Sequence, residues 1–134
     1  MTLLVDTSVW SLAFRRDAPP DSPEVAELRR ALAGDDIVVT TGLILQELVQ
    51  GFVPEQARTQ IIERFTHVPL IQPDRDDHIA AAGLRNACRR AGVQLGTIDA
   101  LLAQLCIRHR HSLLTTDRDF MHAEPHIGIR LWKA

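Results

Sequence analysis

Thr2-Leu3-Leu4-Val5-Asp6-Thr7-Ser8-Val9-Trp10 decides the fold class: a short apolar strand ends on a single acid, and a helical pattern starts at once and runs to about Arg16. The same switch of period recurs along the chain. Ser22 and Pro23 cap and open a second helix, with Glu24 and Glu27 near its positive end and Gly34 as its stop. Ile37, Val38 and Val39 are a β-branched run that reads as a buried strand. A helix over 42–52 carries Ile44, Leu45, Leu48, Val49 and Phe52 on one face, and Pro54 opens another that reaches Phe65. Residues 67–71 read as a strand that Pro69 confines to an edge. The longest helix covers 74–91, with Ile79, Gly83, Leu84, Ala87, Cys88 and Ala91 at helical spacing and Gly92 ending it. Thr97 caps a helix carrying Ile98, Leu101, Leu102, Leu105 and Cys106. A strand over 112–115, a short helix over 117–122 and a last strand over 127–131 complete the pattern. Strands separated by helices predict an α/β fold, with a central parallel sheet of about five short strands and helices on both faces.

Composition narrows the function classes. The 134 residues fit one domain, read as 1–134, and the hydrophobic share of 46% with 24% charged residues is that of a globular chain. The longest run without a polar side chain, 79–84, is far short of the ~20 residues a membrane span needs. Asp6 interrupts the N-terminal apolar stretch before a signal-peptide core forms. The expectation is a cytoplasmic protein with no membrane partner. The net charge of −2 advertises no nucleic-acid partner either. Of the 15 basic residues Lys133 is the only lysine, a bias that genome base composition also produces. Cys88 and Cys106 fall on apolar helix faces and read as free core thiols.

Ligands of open parallel sheets bind beyond the carboxyl ends of the strands. Asp6 follows Leu3-Leu4-Val5 and Asp117 follows Leu113-Leu114-Thr115-Thr116, so each acid sits where a buried strand gives way to a helix. Each taken alone is a helix N-cap. Glu47 lies in a mostly apolar helix, roughly 130° from the centre of its apolar face, where a solvated position explains it equally well. Asp99 is in the first turn of its helix, bordering the buried stripe. Together they are four acids on four elements, able to meet at one sheet edge. Carboxylates that close repel unless a cation lies between them, and all-oxygen ligation suits Mg²⁺ or Mn²⁺.

The ordered set Leu4-Val5-Asp6-Thr7-Ser8-Val9-Trp10, Gln46-Glu47-Leu48, Thr97-Ile98-Asp99-Ala100-Leu101-Leu102-Ala103 and Leu114-Thr115-Thr116-Asp117-Arg118-Asp119-Phe120 resembles a PIN domain. Within that superfamily it is most similar to the VapC-type toxins of toxin–antitoxin pairs. The resemblance implies a Mg²⁺- or Mn²⁺-dependent endoribonuclease that cleaves RNA by metal-activated water, is inhibited by a small cognate antitoxin and forms a homodimer. It implies Asp6, Glu47, Asp99 and Asp117 as the catalytic acids, with Asp6, Asp99 and Asp117 on the metal. Asp119 is expected to support them, and Thr7, Ser8 and Thr115 to orient carboxylates or phosphate. Arg15-Arg16 fit a basic end to the first helix.

RNA positioning falls to arginines, because four phenylalanines, two tryptophans and no tyrosine make no stacking platform. Arg118 lies beside the proposed acids, and Arg85 and Arg89 share a helix face, although a solvated face explains that pair too. Pro125 is read as keeping His122 and His126 from sharing a helix face, and His109 and His111 as flanking a helix end. A receiver domain would need adjacent acids after the first strand, an acid ending the middle strand and a lysine after the late one. Here Asp6 stands alone, the middle strand ends in Thr40-Thr41, and Lys133 is penultimate. A phosphatase would need Asp-x-Asp where Asp6-Thr7-Ser8 stands. A non-catalytic PIN-like interaction module remains the alternative, and the intact set of acids weighs against it.

Overall fold

The computed structural model describes residues 1–15, 21–51 and 54–134. Three strands, β1 (Thr2–Val5), β2 (Ile37–Val39) and β3 (Ser112–Leu114), form a parallel sheet in the order β2-β1-β3. Leu3, Leu4 and Val5 point alternately to opposite faces and are all fully buried, so both faces of the sheet are covered. The seven helices among the described residues are α1 (Thr7–Phe14), α2 (Pro23–Ala33), α3 (Gly42–Gly51), α4 (Glu55–Phe65), α5 (Arg75–Arg90), α6 (Thr97–His109) and α7 (Arg118–Ile127). None is long and apolar enough to cross a membrane. Arg16, residues 17–20, Phe52 and Val53 lie outside the described residues.

The sheet has three strands rather than about five. The expected outer strands each shrink to a single parallel bridge, Thr40 with Leu70 and Leu113 with Leu131. Pro69 accepts from the Thr40 amide through its carbonyl but has no N–H to extend the ladder. On the other side α7 continues past the expected stop to Ile127, and Gly128, at φ +60°, turns the chain, leaving only Leu131 to pair. Pro125 therefore lies inside α7, which carries both His122 and His126. It forfeits one helical hydrogen bond close to the helix end, where that loss is tolerated. Thr97 opens α6 instead of capping it; Gly96 is the N-cap, its carbonyl accepting from the Ala100 amide at 2.9 Å. Ile37, expected inside, is 55% exposed. Cys88 and Cys106 are free, buried thiols, as expected.

The largest departure is in α5. Ile79 is 65% exposed, and Gly83 and Ala91 also face solvent, while the buried stripe runs through Asp77, Ala81 and Cys88. The stripe keeps helical spacing, but its first member is an acid. Asp77 is 1% exposed and closes a capping box with Asp74. Its carboxylate also accepts from Arg108 of α6 at 2.6 Å and from Gln104 of α6 at 3.4 Å. This clamp fixes α5 against α6, the two helices that carry the arginine pair and Asp99.

The clamp is asymmetric. Arg108 is partly exposed and can turn to water, whereas Asp77 cannot. Arg108→Met should therefore destabilise by about 2–3 kcal/mol, more than the ~1 kcal/mol expected of Asp77→Asn. Urea unfolding of both variants at neutral pH measures this, and equal or reversed costs would contradict it.

Candidate active site

Strand register brings the first two acids together. Val5 pairs with Leu114, so Asp6 and Thr115 leave the sheet side by side. Asp6 is buried and caps α1, with Oδ1 accepting from the Thr7 amide at 2.8 Å. Its Oδ2 accepts from the hydroxyls of Ser8 and Thr115, each at 2.8 Å. The Thr116 amide donates to the Ser8 hydroxyl and the Asp117 amide to the Thr115 hydroxyl, so the two strand ends are laced together. Asp117 then caps α7, its Oδ1 accepting from the Asp119 amide at 2.9 Å. The capping and site readings are thus compatible: the cap orients the carboxylate.

Glu47 and Asp99 approach from two further helices. Thr41 caps α3 through its hydroxyl, which accepts from the Ile44 amide. Glu47 on that helix is half-buried and accepts from the Thr7 hydroxyl at 3.2 Å, a position that a solvated face would not give it. Asp99 is the third residue of α6 and half-buried. Burial, and then the charges of Asp6, Asp117, Glu47 and Asp119, push its carboxyl up to about 7. All five acids therefore share one electrostatic neighbourhood.

Within it the tightest group is Asp99, Asp117 and Asp119, each offering an oxygen within 4.8 Å of the others. Asp119, expected in a supporting role, is one of this trio, and Asp6 lies outside it. The signal was present in the sequence: Asp117-x-Asp119 straddles a helix start, where cap and first turn present both acids together. Three converging carboxylates, one of them with its pKa raised by burial and by its acidic neighbours, fit a hard divalent cation. Arg85 and Arg89 line a cleft of about 430 Å³ that also takes in Asp99 and Asp119. Arg118 is exposed on the first turn of α7 and does not line that cleft.

The PIN domain family profile matches residues 3–124. This chain belongs to the PIN-domain family. It is 32% identical over 121 residues to Ribonuclease VapC11 of Mycobacterium tuberculosis (strain H37Rv), covering 88% of each chain. Its fold matches VapBC-1 of nontypeable Haemophilus influenzae at a TM-score of 0.75 and 18% identity, over 99% of this chain and 98% of that one. It also matches VapBC-5 of M. tuberculosis, a member of the VapBC family of toxin–antitoxin systems, at a TM-score of 0.69 and 22% identity, over 99% and 98%.

The raised Asp99 carboxyl sets the sign of a stability prediction for the metal-free PIN domain. The unfolded chain releases this proton near 4 and the folded one near 7, so between those values the folded state holds more protons. Stability in EDTA should fall as pH rises from about 4 to about 7. Asp99→Asn should flatten that slope and, at neutral pH, stabilise by about 1–2 kcal/mol, roughly 3–8 °C in Tm. Millimolar Mg²⁺ should raise Tm of the wild type more than that of the variant. Thermal unfolding in EDTA and in Mg²⁺ decides; if Asn is neutral or destabilising in EDTA and Mg²⁺ protects both proteins equally, Asp99 is only a helix-dipole partner.

Proposed function

We propose that residues 1–134 form one PIN-like ribonuclease domain, a Mg²⁺- or Mn²⁺-dependent endoribonuclease acting as the toxin of a toxin–antitoxin pair. The observation that carries this reading is the convergence of Asp99, Asp117 and Asp119 at the carboxyl edge of the sheet, in a chain related over 88% of its length to a VapC ribonuclease. In this reading Asp99, Asp117 and Asp119 hold the cation, with Asp6, the further ligand that the resemblance implies, beside them. When bound, the cation supplies the positive charge that lowers the pKa of water and offsets charge on the phosphodiester.

The chain's own residues do the rest. Ser8 and Thr115 fix the Asp6 carboxylate through Oδ2, and Thr7 holds Glu47. The caps of α1 and α7 fix Asp6 and Asp117, so little reorganisation remains when substrate arrives. Glu47, held by Thr7 and not among the cation's ligands, is the acid left to accept a proton from attacking water, and no histidine or lysine lines the cleft. Inhibition follows from the same charge: an antitoxin segment offering an arginine satisfies the carboxylates by bidentate hydrogen bonds in place of a metal. Ile79 of α5 and Ile98 of α6 leave exposed apolar surface for the second copy of a homodimer.

Purified protein should cleave RNA in Mg²⁺ or Mn²⁺ but not in EDTA, leaving 3′-hydroxyl and 5′-phosphate ends, and Asp99→Asn should lower the rate at least ~100-fold. Cleavage that survives EDTA, or full activity in Asp99→Asn, overturns the reading. Pull-down from the native host should recover a small basic-tailed protein, and Asp6→Asn combined with Asp99→Asn should weaken its binding. Unchanged affinity would show that the acids are not its docking point.

A further inference from the structure

Arg30 and Arg108 are tied to carboxylates, but Arg89, exposed on α5, makes no ion pair among the described residues. It lines the cleft that ends at Asp99 and Asp119. Arg85, one turn earlier on the same face, is half-buried and differently occupied: its Nε donates to the Leu95 carbonyl at 3.0 Å. Leu95 is buried and precedes Gly96, the N-cap of α6, which lies against the Asp99 carboxylate: a Cβ at Gly96 would stand 3.7 Å from Asp99 Oδ2. The cleft therefore carries both charges, two acids and a guanidinium without an ion pair, and a side-chain-free residue lies against one of the acids.

We propose that this cleft is the path of the RNA strand, that Arg89 binds a backbone phosphate next to the one cleaved, and that Arg85 positions the 93–96 segment and, through Gly96, Asp99. The proposal rests on the ribonuclease reading above and adds to it the substrate's direction across the surface and a division of labour between two arginines one turn apart. A phosphodiester chain suits a cleft with both charges, since its phosphates pair with guanidinium and with cation-neutralised carboxylates. Binding through Arg89 carries no base information, because a phosphate contact positions the strand without reading it. With no aromatic side chain lining the cleft, affinity there is electrostatic and salt-dependent.

The test compares wild type with Arg89→Gln, Arg85→Gln, Arg85→Lys and, as a charge control on the same helix outside the cleft, Arg90→Gln. Cleavage of a short labelled single-stranded RNA in Mg²⁺ gives kcat and KM across a KCl series, and fluorescence anisotropy of the same RNA in EDTA gives binding without turnover. Arg89→Gln should raise KM and Kd roughly 3- to 10-fold, keep kcat within about twofold, and reduce the slope of log affinity against log salt by about 0.7, one single-strand phosphate contact. Arg85→Gln should leave that slope near wild type, lower kcat and reduce the rise in Tm that Mg²⁺ produces, and Arg85→Lys should recover part of both. Arg90→Gln should behave as wild type. The proposal is overturned if Arg89→Gln matches Arg90→Gln in affinity and slope, in which case the guanidinium serves another anion such as an acidic peptide. It is equally overturned if Arg85→Gln and Arg89→Gln change the slope alike. A wild type that cleaves RNA normally while Arg89→Gln is silent removes only this inference; a wild type that neither binds nor cleaves RNA removes the ribonuclease reading with it.

Discussion

Burial and, after it, like-charge repulsion act together on the Asp99 carboxyl, and the rest of the site is arranged around that group. Asp6, Glu47, Asp117 and Asp119 all act on Asp99 inside a half-buried cleft, and that arrangement opposes folding. The structure tolerates it by giving each of three acids a local anchor. Asp6 caps α1 and accepts two hydroxyls, Asp117 caps α7, and Glu47 is tied to Thr7. Asp99 has no such anchor among the hydrogen bonds of the described residues, and its carboxyl carries the shift. A carboxyl so placed is relieved by a bound cation.

Secondary structure is subordinate to that constraint. A three-stranded parallel sheet is small, yet it suffices, because β1 lies between β2 and β3 and its end carries Asp6 directly beside Thr115. The register Val5 with Leu114 is set by buried apolar residues on both faces, so packing in the core determines where the acids emerge. Between α5 and α6 the Asp77–Arg108 clamp performs the same service. It fixes the spacing between the arginine pair and Asp99 without taking part in the chemistry.

Much of this was legible in the sequence. A buried strand running into a lone acid is a local pattern, and it gave Asp6 and Asp117 their places; helical phase placed Asp99 beside the core. Phase alone left Glu47 open, because its hydrogen bond to Thr7 spans forty residues. The outer strands were overread, since pairing depends on how many backbone groups find a partner, and Pro69 and the extension of α7 leave one bridge on each side. The face of α5 was misread only in part, since Cys88 is buried and Leu84 and Ala87 pack against the core while Ile79, Gly83 and Ala91 face solvent. Hydrophobic periodicity discounts acids, and Asp77 is buried only because Arg108, thirty-one residues later, meets it there. The prominence of Asp119 over Asp6 is likewise a matter of side-chain convergence, which sequence order does not encode.

The central claim, that the carboxylates of Asp99, Asp117 and Asp119 close on one divalent cation, is tested most directly by anomalous diffraction from crystals grown or soaked in Mn²⁺. An anomalous peak within about 2–2.5 Å of oxygens from Asp99 and at least one of the other two is the result this account predicts. Mn²⁺ bound elsewhere on the chain, with those three carboxylates paired only to water or to one another, would contradict it.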